Sequence, residues 1–149
     1  MPLSRRSISD DAGSASLEFI TAGMLLLLPI VYLVLALSAI QAGAFAVEGA
    51  ARQAARVYVQ SANPEAANSA AGRAVEFALA DYGIDASDVK VGVSCSANPC
   101  LTRRAFVTVT VTTTVTLPLV PPVLNLDVPL SIPISSTATQ QVSRFWGSR

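Results

Sequence analysis

The chain has no histidine. That removes the commonest general base, the commonest metal ligand and every Ser–His or Cys–His nucleophilic pair. Its two cysteines, Cys95 and Cys100, are too few for a structural zinc site without histidine partners. Charge is scarce as well. Only 13% of the 149 residues are Asp, Glu, Lys or Arg, against about 25% in soluble proteins. Acidic and basic residues balance at 10 each, so no excess of positive charge offers a surface for nucleic acid. Nothing in the spacing gathers the carboxylates into a cluster. The expectation is a protein that is not an enzyme, with no catalytic residue, no metal, no cofactor and no nucleic-acid partner.

What the chain has in excess is apolar surface, 52% of residues with a mean hydropathy of +0.51, and it is concentrated. No charged residue occurs between Glu18 and Glu48. The run Phe19–Val47 is interrupted only by Thr21, Gly23, Pro29, Ser38, Gln41 and Gly43. A bilayer core of about 30 Å needs roughly 20 apolar helical residues, so residues 19–47 are expected to span a lipid bilayer. A soluble fold of this size could hardly cover so wide an apolar surface. Pro29 would break a helix in water but is tolerated in lipid, usually with a kink. Small residues at Gly23, Ala36, Ala39 and Gly43 would let neighbouring helices approach, although their spacing is not a regular GxxxG.

The helical pattern continues beyond the span. Glu48 and Arg52 stand four apart in the favourable acid-before-base order, and Ala50, Ala51, Ala54, Ala55, Val57 and Tyr58 form an apolar stripe. One helix from about Ser16 to about Gln60 would have its first half in lipid and an amphipathic second half free to dock a head. Arg5 and Arg6 before the span are matched by Arg52 and Arg56 after it, so the positive-inside count is a tie.

The remainder reads as a small α+β head over residues 63–149. Asn63-Pro64, followed by Glu65, is a helix start. Ala67, Ala71, Ala74, Val75, Ala78, Leu79 and Tyr82 are expected on its packed face, and Gly83 is expected to close it in a left-handed conformation. Val89, Val91 and Val93 alternate with polar residues as a half-buried strand. Ala105, Val107, Val109, Val111, Val115 and Leu117 alternate with Phe106, Thr108, Thr110, Thr112, Thr114 and Thr116 as a longer one. Leu117–Pro133 holds Pro118, Pro121, Pro122, Pro129 and Pro133 and reads as an extended apolar loop, laid over the head's own core or meeting a neighbour or the membrane surface. A last strand is expected from Ile132 to about Val142, followed by a Phe145-Trp146 tail at an interface or fraying. The fold is therefore α+β, with a long N-terminal transmembrane helix, a second helix and a small antiparallel sheet of about three strands.

Cys95 and Cys100 bracket Ser96-Ala97-Asn98-Pro99 between two of these strands. A disulfide would staple the hairpin loop if the Cα atoms lie within about 7 Å; a reduced pair would instead suit the cytoplasm. The anchor favours the oxidising, extracytoplasmic alternative. The CxxxxC spacing is not the redox-active CxxC.

Residues 1–13 are polar and end in glycine. Gly13 is followed by Ser14-Ala15-Ser16-Leu17-Glu18-Phe19, and there the apolar run begins. A carboxylate at the mouth of a membrane helix is costly unless it is paired or points into water. This pattern of glycine, four residues, Glu-Phe and an apolar helix resembles the processing signature of type IV prepilins. It is closest to the tight-adherence (Tad) class, and the whole chain resembles a TadE-like minor pseudopilin. Ser135-Ser136-Thr137-Ala138-Thr139 is similar to the C-terminal strand of such heads, and the chain is longer than the nearly all-helical major pilin of that system.

The resemblance implies cleavage between Gly13 and Ser14 by a prepilin peptidase on the cytoplasmic side. It also implies an assembly role for Glu18, followed by Phe19: the carboxylate neutralises the new amine of a neighbouring subunit. The partners implied are the peptidase, other pilin subunits and the pilus assembly platform. The expected organisation is a 1–13 leader, a 14–62 helix with its N-terminus in the cytoplasm, and a head outside the cytoplasmic membrane, in a pilus-like fibre. Two other readings remain open. Ser4-Arg5-Arg6 and Ala44-Phe45-Ala46 resemble an export signal with a cleavage site near Ala46, releasing a soluble domain, although the apolar stretch exceeds the usual 7–15 residue signal core. An uncleaved bitopic membrane protein would keep Met1.

Overall fold

Alanine- and leucine-rich sequence from Asp11 onward favours helix, and in the computed structural model, which describes residues 11–118 and 131–147, helix α1 covers Asp11–Gln60. It already includes Asp11, ahead of the expected start near Ser16, and Ala12 and Ala15 are strong helix formers. The helix continues through Pro29. Helix α2 (Pro64–Ala80), a single 3-10 turn (Ala86–Asp88) and strands β1 (Lys90–Cys95), β2 (Phe106–Thr116) and β3 (Ser131–Gln141) follow. The strands form one antiparallel sheet in the order β1-β2-β3. The α+β class and order of elements are as the sequence predicts.

The chain divides into two compact units, Met1–Leu37 and Ser38–Arg149. In the first, the large apolar side chains of α1 have no cover. Leu17, Phe19, Ile20, Met24 and Leu25 through Leu28 are each 58% exposed or more, and none of the most apolar window is buried. No described residue buries this stretch as a core helix would be buried.

The second unit begins with the rest of α1, whose side chains are covered on one face. Gly43 is buried, and Ala46, Val47, Ala50, Ala51, Ala54, Ala55 and Tyr58 are buried in one cluster with Ala67, Ala71, Val75 and Leu79 of α2 and Val107, Val109 and Val111 of β2. Repeats at i and i+4 on both helices put these residues on single faces. These buried positions reach into the last residues of the expected span, 43–47. Gly43, Ala46 and Val47 belong to the head's core, since apolar small residues suit a sheet as well as they suit lipid. Gly43 is not a helix–helix contact either. A Cβ there would run into Val115 and would stand 3.2 Å from the Ile134 side chain, so the glycine lets α1 approach its own sheet.

Helix α2 starts as expected: the Asn63 side chain accepts a hydrogen bond from the Ala66 N–H at 2.9 Å. At its far end the Ile84 N–H donates to the Leu79 carbonyl and the Gly83 N–H to the Ala80 carbonyl, the paired bonds of a Schellman closure, with Gly83 at φ +68°. Tyr82, expected on the packed face, is 50% exposed, because the chain has by then left the helical path.

In β2 the odd residues Val107, Val109, Val111 and Thr113 are buried, and the even threonines form the outer face. There Thr108, Thr110 and Thr112 hydroxyls meet those of Thr139, Thr137 and Ser135 at 2.9, 3.1 and 3.0 Å. Strand β1 departs from expectation. Val91 and Val93 lie opposite Val111 and Val109, on the core side, yet both are exposed: alternation sets the parity of a strand but not whether a helix covers it. Pro133 lies within β3 opposite Thr114, tolerated because β3 is an edge strand. Of the proline-rich loop expected at 117–133, residues 119–130 lie outside the described residues.

Candidate functional site

Two parts of the molecule carry the sequence-predicted residues. The first is the mouth of the apolar helix. Gly13 and Ser14 lie in helical backbone, and Glu18 follows one turn later, near the same face and about 6 Å along the axis. Glu18 is exposed, with exposed Leu17 and Phe19 on either side. Among the described residues it has neither an ion-pair nor a hydrogen-bond partner. One turn on, the Thr21 hydroxyl donates to the Leu17 carbonyl at 2.8 Å, so this polar group is satisfied within the helix. The mouth therefore presents an unpaired carboxylate at the edge of an uncovered apolar cylinder.

The second is the hairpin tip of the head. The Cys95 and Cys100 sulfurs are 2.05 Å apart and their Cα atoms 5.2 Å, within disulfide reach. Around them, Ser96 and Phe106 exchange hydrogen bonds: Ser96 N–H to the Phe106 carbonyl, and Phe106 N–H to the Ser96 hydroxyl. The Thr102 hydroxyl donates to the Pro99 carbonyl. This pair and the Gly13–Phe19 motif belong to different units.

Several contacts near the tip carry no short-range sequence signal. Trp146 donates its indole N–H to the Ser61 carbonyl at 3.0 Å and packs against the core, while Arg103 donates to the Trp146 carbonyl at 2.9 Å. Instead of fraying, the Trp146 end of the tail is fastened to Ser61, the residue just after α1. Phe145 stays exposed beneath the Arg144 guanidinium, 4.6 Å from its ring centre. Leu101 is fully buried in the hairpin turn, and Arg104 holds a left-handed backbone, φ 64°.

At the opposite end of the head, a hollow of about 320 Å³ is lined by Ala39, Ala42 and Gly43 of α1, Tyr82, Asp85 and Asp88, and the end of β2 from Thr113. Asp85 accepts a hydrogen bond from the Ser87 N–H at 2.9 Å. Bonding to Ser87 holds its carboxyl below the usual carboxylate value. Among the described residues no group of three or more His, Cys, Asp or Glu stands close enough to hold a metal. One helix is long and apolar enough to cross a membrane once. No family model, curated protein or solved structure matches the chain.

Proposed function

We propose that this chain is a membrane-anchored, pilin-like structural subunit of the TadE-like kind, cleaved between Gly13 and Ser14 and assembled through Glu18. The observation that carries the reading is the Gly13–Phe19 motif at the mouth of a helix whose most apolar window has no protein cover. Such a surface needs lipid before assembly and neighbouring helices after it. In either setting an isolated carboxylate is costly and a paired one is not. A new ammonium at Ser14 supplies the partner. Because Ser14 and Glu18 are offset along one helix face, pairing between copies favours an axial stagger over level packing.

The Gly13–Ser14 bond sits in the first turns of α1. Glycine weakens a helix by about 0.5–1 kcal/mol relative to alanine, so this end opens to a peptidase at little cost. The Cys95–Cys100 pair supports a head on the oxidising side of the membrane, and hence a cytoplasmic N-terminus. The head's role is structural display; the site offers charge pairing and apolar contact and no reaction.

The test is the intact mass of the chain extracted from the membranes of its native host. The expected mass begins at Ser14. A chain beginning at Met1, or one beginning near Val47, contradicts the reading. Glu18→Ala is expected to be processed normally but to be recovered in fibres or subunit complexes at one-tenth or less of the unaltered amount; undiminished incorporation would remove Glu18 from assembly.

A further inference from the structure

The head is charged at its two ends and with opposite sign. At the end where α1 enters, Asp81, Asp85 and Asp88 are exposed; among the described residues the basic side chains on this side are Lys90 and Arg73, which lines a shallow hollow with Asp81. At the hairpin end, Arg103, Arg104 and Arg144 are exposed, offset by Glu65. None of these six has an ion-pair partner among the described residues, where Glu48 and Arg52 make the one salt bridge. In a chain of zero net charge, six unpaired charges sorted by sign to opposite ends constitute two complementary surfaces.

The acidic end is also concave. Asp85 and Asp88 stand on the wall of the 320 Å³ hollow. Thr113, the one buried polar residue among those described, lines the same hollow at 2% exposure, and its hydroxyl makes no hydrogen bond to another described residue. Two carboxylates and a hydroxyl acceptor around a cavity match a guanidinium, which brings five N–H donors and a fixed charge. The other end of this same protein presents guanidinium groups on a tight turn.

We propose that the acidic hollow of one head receives the arginine-bearing hairpin tip of a second copy, so that heads associate end to end. This rests on the subunit reading above and names the partner of the head. The two surfaces are different, so the contact is heterologous; it does not close on itself and it propagates as a line of copies all pointing the same way. Successive copies are displaced by about one head length, roughly 35 Å for the 11-residue β2 at about 3.3 Å per residue.

The test uses the full chain in detergent at about one chain per micelle, with association followed by sedimentation. Four chains are compared: unaltered, Asp81→Lys with Asp88→Lys, Arg104→Glu with Arg144→Glu, and all four changes together. Asp85 and Arg103 are left alone because each makes a hydrogen bond within its own head. Each single-end reversal is expected to weaken association about tenfold or more, and the four-fold variant to restore it to within about threefold. A 1:1 mixture of the two single-end variants is expected to associate like the unaltered chain. For the unaltered chain, association is expected to fall steeply between about 0.05 and 0.5 M salt, as screened charges require; this arm needs no variant to fold. A monomeric unaltered chain, a salt-insensitive association, or a four-fold variant as weak as the single-end ones overturns the proposal. Intact mass on chain from the native host reports separately on processing, so failure here and failure of the subunit reading are told apart.

Discussion

The two halves of α1 belong to one helix and are opposite in circumstance. From Leu17 to Leu37 the helix is leucine-rich and uncovered on its large side chains; from Gly43 to Tyr58 it is alanine-rich and buried on one face against its own sheet. Side-chain size decides the difference. Alanine and glycine permit a backbone to approach a sheet closely, as Gly43 does beside Val115 and Ile134. Rows of leucine offer wide apolar area without a matching surface in the chain. One continuous helix therefore has two environments, its own head and, under the reading proposed above, lipid.

The largest expected effect separates two leucines. Leu79 is fully buried in the head, so Leu79→Ala is expected to lower head stability by about 2–5 kcal/mol, from lost burial plus the cavity left behind. Leu27, 60% exposed, is expected to leave the head's thermal midpoint unchanged when replaced by alanine. Thermal unfolding followed by circular dichroism, with both variants in the same detergent, checks the pair. Equal losses would mean that the halves do not differ.

Two glycines on the same helix come next. Gly43→Val is expected to destabilise the head by about 1–3 kcal/mol by overpacking, whereas Gly23→Val meets open space and is expected to leave it unaltered. Chemical denaturation of both variants reads the difference directly. A tolerant Gly43 would show that the sheet is not held close to α1.

Smaller still is the cap of α2. Asn63→Ala removes the acceptor of the Ala66 N–H and is expected to cost about 1 kcal/mol, seen as a lower denaturation midpoint with an unchanged slope. The smallest effect is that of Asp85. Its folded carboxyl is held below the ordinary value by Ser87, so its contribution is complete at pH values above that of the unfolded carboxyl. It fades as pH falls through the lowered folded value. Asp85→Asn is expected to remove this small acid-side dependence and to leave stability at neutral pH otherwise close to normal, checked by midpoints measured across the acid range.

Much of this was legible in residue patterns. The Asn63-Pro64 start, the Gly83 closure and the valine–threonine alternation of β2 are short-range signals, and each is realised where it is read. The apolar run announced a helix long enough to span a bilayer but not where its own head begins to cover it, because Gly43, Ala46 and Val47 are as suited to lipid as to a sheet. Val91 and Val93 show the same limit: their alternation gives the right face, and only the placement of the helices leaves that face open. Trp146 reaches Ser61 across 85 residues, a contact with no local signal. The acidic hollow likewise joins α1, the turn after α2 and the end of β2, segments far apart in the chain.

The most direct test of one helix in two environments is to find where lipid stops. Single cysteines at exposed positions of α1, Leu27, Leu33, Gln41 and Ala44, can be introduced one at a time into chains embedded in vesicles and challenged with a membrane-impermeant thiol reagent. The account predicts protection at Leu27 and Leu33 and modification at Gln41 and Ala44. Modification at Leu27, or protection running unbroken through Ala44, would contradict it.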